Sequence, residues 1–315
     1  MVQDAFRRVR IHAVQHMTAC EKANLRWGET AITEIVISRA AKAANVLSFT
    51  QPGESVSGAD WIWWWVDGNS AYGMLVQAKR MTTQRGKWHF DFGYRNGTQR
   101  MRLISSAASL ELVPVYALYL GTADYRNREP CPEGHRTRHC LACAKRSVSL
   151  MPALLADQVI VDNSRITYER SVALEEMFTP DSTGALFIPE LKKQLAPELD
   201  EFMRMPQTGS RAVAKAMIVR VLKTRIGQFN RVSTPVDSAI RGGGHDHLGP
   251  IFPEMPADEG HWGIPYFEHI LEPLQHSPPD YVLEIDSGDV DADYLRSTMP
   301  PNVGGIVVVR LPQNG

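Results

Sequence analysis

An aspartate, a glutamine and a lysine stand close together in the first third of this chain, on two segments of strand character. Asp60 opens the apolar run Asp60-Trp-Ile-Trp-Trp-Trp-Val-Asp67, and Gln77 and Lys79 close the run Tyr72–Met81. Gly68-Asn-Ser-Ala71 between them is a turn signal, so the two runs read as a β-hairpin. A turn centred between Asn69 and Ser70 sets Asp60 opposite Lys79 and Ile62 opposite Gln77. Side chains alternate along a strand, so Asp60, Gln77 and Lys79 share one face and one cross-strand neighbourhood. An acid, an amide oxygen and an ammonium on an otherwise apolar face are costly to bury without partners. Two readings fit: a salt bridge between Asp60 and Lys79 at a strand end, or side chains kept there for work.

The flanking elements follow from periodicity. Ile32, Ile35, Val36, Ala40, Ala43 and Ala44 recur at helical spacing and predict a helix over 29–45. A strand follows at 46–50 and a loop at 51–58. The first hairpin strand is apolar on both faces, so it belongs inside a sheet covered on both sides. A second helix is expected at 97–110 and a fourth strand at 113–120. Further on, Leu150–Val161 reads as a helix running into a strand, Ser210–Phe229 as a helix, and Tyr281–Ile285 and Ile306–Leu311 as strands.

This order of helix, three strands, helix and strand, with Gly58-Ala59-Asp60-Trp61 and Val76-Gln77-Ala78-Lys79-Arg80 in place, resembles the PD-(D/E)xK nuclease superfamily. The Gln-x-Lys form is similar to that of Mrr-like restriction endonucleases, and GADW followed by QAKR resembles an uncharacterised bacterial group. The likeness covers roughly residues 29–120. It implies an α/β restriction endonuclease-like αβββαβ core and metal-dependent hydrolysis of phosphodiester bonds, with DNA as the expected substrate and bacterial restriction or antiviral defence as the expected setting. It also implies roles. Asp60 matches the metal-binding aspartate. Gln77 stands where many members have a second acid, and its carbonyl can coordinate Mg²⁺ or Mn²⁺ without adding charge. Lys79 matches the lysine that positions water and offsets charge developing on the phosphate. Glu34 matches the acid carried on the first helix, with Glu29 as its rival; the two are too far apart around the helix to face one site. Glu54 and Gln99 are outside candidates. A non-catalytic nucleic-acid-binding module on the same fold, or a zinc-stabilised interaction protein, is the alternative.

A second cluster lies at Cys131-x3-His135…His139-Cys140-x2-Cys143. Its Cys-x2-Cys spacing suits tetrahedral Zn²⁺, with His135 or His139 as a fourth ligand; buried thiols and a redox pair are the other readings. The run Trp88, His89, Phe90, Phe92, Tyr94 with Arg85, Lys87 and Arg95 reads either as a strand tracking nucleic acid by charge and stacking or as packed aromatics. His245 and His247 beside three glycines read as a metal loop or as plain loop histidines.

Composition bounds all of this. The 315 residues are 43% hydrophobic and 22% charged, with four cysteines. These values exclude a collagen-like repeat, a disulfide-dense miniprotein and a wholly disordered chain. Residues 1–150 carry 20 Lys/Arg against 12 Asp/Glu, and residues 151–315 carry 14 against 23. So basic a first half suits a polyanionic partner. Two regions are expected, a nuclease-like domain over 1–165 that includes the Cys/His insertion, and a region over 166–315 of uncertain fold. No stretch is apolar enough to span a bilayer, and no apolar core follows the N-terminal charges, so no membrane partner and a cytoplasmic location are expected. A homodimer is compatible with the pattern.

Overall fold

The computed structural model describes residues 2–49, 60–68, 70–84, 87–93, 97–126, 140–156, 167–168, 170–179, 197–232 and 271–312; of 60, 84, 87, 197–199 and 222–232 it describes the backbone alone. The protein is mixed α/β around one large sheet. Helices α1 (Val2–Lys22) and α2 (Glu29–Ala40) precede strands β1 (Ala44–Ser48), β2 (Asp60–Val66) and β3 (Ala71–Arg80). A small ribbon of β4 (Thr82–Gln84) and β5 (Lys87–His89) follows, then α3 (Thr98–Ser109) and β6 (Val113–Tyr119). Next come α4 (Leu141–Lys145), β7 (Val148–Pro152) and β8 (Val172–Ala173), helices α5 (Pro197–Arg204) and α6 (Gly209–Val232), and β9 (Leu274–Gln275). Helices α7 (Asp280–Ser287) and α8 (Ala292–Thr298) and strand β10 (Val303–Arg310) complete the chain.

The sheet runs β1-β10-β2-β3-β6-β7-β8, with β9 paired to the start of β3. The helix and strands expected between 29 and 120 are present, but β1 and β2 are not neighbours. β10 lies between them, antiparallel to β1 and parallel to β2. The C-terminal stretch therefore supplies a central strand of the same sheet, which crosses the boundary expected at residue 165. Val303–Arg310 is buried up to its last residue because both of its edges and both of its faces are covered.

Two glycines permit the close packing this demands. Gly305 lies under the Trp61 ring and against the Leu47 carbonyl, so a Cβ there would have no room. Gly73 lies under the Trp64 indole and Leu112 in the same way. The five consecutive buried residues Trp61, Ile62, Trp63, Trp64 and Trp65 split between the faces. Trp63 and Trp65 meet Phe6 of α1, at ring centroids of 6.3 and 5.6 Å. On the other face the Trp64 Nε1 donates to the Tyr281 hydroxyl of α7 at 2.9 Å. A buried aromatic of this size contributes roughly 3 kcal/mol or more, so β2 anchors both layers.

Three expectations change. Residues 2–22, where no element was expected, form the long helix α1, whose buried stripe is Ala5, Phe6, Val9, Ala13 and Met17. Tyr281–Ile285 is helical, not a strand. The segment from Leu150 begins with β7 and a short 3-10 turn at Ala153–Leu155. Among the described residues no helix is long and apolar enough to cross a membrane.

Candidate functional site

Strands β2 and β3 pair with Trp61 opposite Val76 and Ile62 opposite Leu75. This is an offset of two residues from the expected register. An even offset preserves facing. Gln77 and Lys79 lie on the Ile62 and Trp64 face, and Asp60 stands two residues before Ile62 at the head of β2, next in line for Gln77. Continued by one residue, this register sets Asp60 in line with Gln77 and not with Lys79.

At this end of the sheet β3 and β6 finish while β2 and β10 begin. Tyr116 of β6 pairs with Gln77, and Leu118 with Lys79. Phe92 packs on Tyr116, with ring centroids 4.9 Å apart. The floor of the site is thus apolar, and Gln77 and Lys79 are only 4% and 6% exposed. An ammonium this buried requires an acceptor. Lys79 Nζ donates to Gln99 Oε1 at 2.6 Å. Gln99 lies in the first turn of α3, which Gly97 starts from a left-handed φ of 81°. A cation beside a helix N-terminus has the wrong sign for the helix dipole, and the pair together favours an anion. Gln99, an outside candidate in the sequence, is in hydrogen-bond contact with Lys79.

Helix α2 places the two rival acids differently. Its buried residues Ile32, Val36, Ile37 and Ala40 face the sheet, and Glu34 is exposed on its outer side. Thr33 Oγ1 meets the Tyr119 hydroxyl at 2.8 Å, on the sheet face opposite Lys79. Glu34 is therefore not brought to Gln77 and Lys79. Glu29, one turn earlier, reaches the end of β3, where its Oε1 accepts the Arg80 backbone N–H at 2.8 Å. Arg80 in turn donates to the Trp27 carbonyl at 2.9 Å. Burial pushes the Tyr119 phenol well above its usual range, the Thr33 contact opposes this, and the Glu29 charge adds to it.

Cys140 and Cys143 are both buried at the start of α4. Cys131, His135 and His139 lie outside the described residues, as do Glu54, His245 and His247. Among the described residues no three His, Cys, Asp or Glu side chains gather as a metal cluster. What holds α4 is a residue the sequence did not single out. Arg126 is fully buried and donates to the carbonyls of Leu120, Gly121 and Cys143 at 3.2, 2.7 and 2.8 Å. Its guanidinium lies 5.7 Å from the Tyr168 ring centre, and desolvation lowers its pKa. An arginine in an Arg-rich loop carries no periodic signal that would mark it as buried.

The aromatic run is packed. Trp88, Phe90 and Phe92 are buried, and Phe90 stacks on Phe92 at 5.4 Å. These three rings are unavailable as a stacking track for bases; Tyr94 lies outside the described residues.

A family model described as a family of unknown function, DUF6615, matches residues 2–310. No curated protein and no solved structure matches the chain.

Proposed function

We propose that this chain, which belongs to the DUF6615 family, is a metal-dependent nuclease that hydrolyses phosphodiester bonds of DNA on a restriction endonuclease-like core. The observation that carries this reading is Lys79, a buried ammonium on the same sheet face as Gln77, beside the head of β2 where Asp60 stands. The neutral Gln99 is one of the groups that hold Lys79 in place.

The donor set suits a hard divalent cation. Asp60 and Gln77 offer oxygen ligands only, and Mg²⁺ is held by one or two protein groups while keeping several waters. Asp60 and Gln77 would hold the ion, which when bound would lower the pKa of water and stabilise the leaving oxygen. Lys79 acts on the phosphate: its ammonium, in apolar surroundings, offsets negative charge developing on the phosphoryl oxygens. Gln99 fixes the lysine through a neutral acceptor. Glu29 holds the end of β3 through the Arg80 N–H and is the α2 acid nearest this strand end. A setting in bacterial restriction or antiviral defence rests on the Mrr-like likeness alone.

A structural Zn²⁺ at Cys131, Cys140, Cys143 and His135 belongs to the same proposal. Elemental analysis of protein purified without chelator tests it, and absence of zinc overturns it.

The second reading, a nucleic-acid-binding module without catalysis, draws on Gln77, whose neutral side chain gives the ion less charge than an acid would. One panel separates the two: single- and double-stranded DNA and RNA with Mg²⁺, Mn²⁺ or EDTA, for the parent and Asp60→Asn. Metal-dependent cutting by the parent alone supports the nuclease. Binding without cutting supports the module.

A further inference from the structure

Behind the strand that carries Gln77 and Lys79, a partly open cavity lies between α2 and the sheet. Its origin lies in the register. Ala78 of β3 pairs with Ala117 of β6, and Leu150 of β7 pairs with Ala117 in turn. Alternation puts both alanines on the face opposite Gln77 and Lys79. Two adjacent methyl groups leave a hollow between the larger Trp61, Trp63 and Leu150, and Val36 and Ile37 of α2 roof it. Its empty space, open mouth included, is about 410 Å³. The only hydroxyls in its lining are those of Thr33 and Tyr119; every other lining side chain is aliphatic or an indole.

The protons of those two hydroxyls can be placed. Thr33 Oγ1 donates to the Glu29 carbonyl at 2.8 Å. It has one proton to give, so in its 2.8 Å contact with Tyr119 it accepts and the phenol donates. Both protons are used, and the hydroxyl end of the cavity offers lone pairs and no O–H donor. Burial keeps the phenol protonated, and the Glu29 charge acts in the same direction.

We infer that this cavity binds a small neutral ring compound with one O–H or N–H donor, its ring over Ala78 and Ala117 and its donor on the Tyr119 oxygen. Apolar walls with one convergent polar group are the usual make-up of a small-molecule site. A carboxylate or phosphate would meet the Glu29 charge with no hydroxyl proton to receive it. A ring without a donor would leave the Tyr119 lone pair dry. The cavity and Lys79 lie on opposite faces of the sheet, so the inference stands apart from the nuclease reading.

Calorimetric titration of the full chain with phenol, and with toluene as the ring of similar size that lacks a donor, tests this. Phenol should bind saturably at millimolar concentration or below. Tyr119→Phe removes the acceptor and should weaken phenol by about fivefold while toluene binds as before or more tightly. Ala117→Val fills the floor of the cavity and should abolish binding of both rings. Absence of saturable phenol binding by the parent would overturn the inference. So would a Tyr119→Phe protein that binds phenol as the parent does or loses both rings equally, or an Ala117→Val protein that binds both undiminished. No cleavage is measured, so failure here leaves the nuclease reading standing on its own test.

Discussion

Lys79 of β3 and Gln99 of α3 are joined by a 2.6 Å hydrogen bond in which a buried ammonium donates to a neutral amide oxygen. A carboxylate in that position would oppose the charge; an amide holds the side chain in place without adding an opposing charge of its own. The pair ties the end of β3 to the helix that follows it.

Removing the lysine should therefore abolish cleavage, by about a hundredfold or more, the scale seen when a preorganised charge stabiliser is lost. Gln99→Ala should lower kcat by roughly tenfold with KM little changed, because it loosens a positioning contact and leaves the ammonium present. Gln99→Glu keeps an acceptor but pairs the ammonium with a carboxylate, so its residual rate should fall more steeply with rising pH near neutrality than on the acid side. Near-parental kinetics for Lys79→Ala would remove Lys79 from the site.

Gly305 tests the placement of β10. A Cβ at this position would press on the Leu47 carbonyl and the Trp61 ring together, and neither backbone nor a buried indole can yield easily. Gly305→Ala should destabilise the protein by about 1–3 kcal/mol, the usual penalty of overpacking. Urea unfolding followed by tryptophan fluorescence measures it. A parental midpoint would mean that β10 does not run between β1 and β2.

The hairpin shows how far local pattern reaches. The run from Trp61 to Val66 and the turn signal after it are legible because apolar strands and Gly-Asn turns need only neighbours in sequence. The register is not. Asp67 donates its backbone N–H to the Ser70 carbonyl, and its carboxylate accepts the backbone N–H groups of Ser70 and Ser210 at 2.9 and 2.8 Å. Capping a helix from a distant part of the chain draws Asp67 into the turn and moves the turn centre one residue upstream, which shifts the pairing by two. Likewise, Ile306–Leu311 reads plainly as a strand, but its place between β1 and β2 is a long-range choice. Tyr281–Ile285 is apolar and of strand length, yet Pro279 before it and Gly288 after it, at a φ of 84°, bracket a helix. Glu34 was the acid expected at the site; the buried stripe of α2 turns it outward and turns Glu29 towards β3.

Alkaline pH should weaken the fold through its buried phenols. Tyr281 accepts a hydrogen bond from Trp64, which favours the phenolate, but burial outweighs this and pushes its pKa up to about 12. Tyrosine in the unfolded chain titrates near about 10. The folded value is the higher one, so the contribution is fully present below about pH 10 and is lost as pH rises towards about 12, at up to about 1.4 kcal/mol per pH unit. Tyr72 and Tyr119 are also raised by burial and act in the same direction. Tyr281→Phe should flatten part of this slope in urea titrations from neutral to alkaline pH. A slope identical to the parent's would mean that Tyr281 is solvated in the folded protein.

Gln77 is where the sequence departs from an acidic motif, and it is also the residue next in line for Asp60 across the hairpin. A neutral ligand gives the ion less charge, so cleavage should need comparatively high Mg²⁺. Gln77→Glu adds a carboxylate with almost no change in shape and should move the Mg²⁺ midpoint to lower concentration by roughly tenfold, the scale of one charge-assisted contact. The same carboxylate would lie two residues from Lys79 on one strand face, in surroundings where both are nearly dry. Some of the lysine's charge would then turn to the new neighbour and away from the phosphate, so the maximal rate should fall even as the ion binds more tightly. A Mg²⁺ titration of cleavage for both proteins reads the two effects separately, as midpoint and plateau. An unchanged midpoint would mean that Gln77 does not hold the ion, and that the pairing of this strand with the head of β2 serves the fold alone.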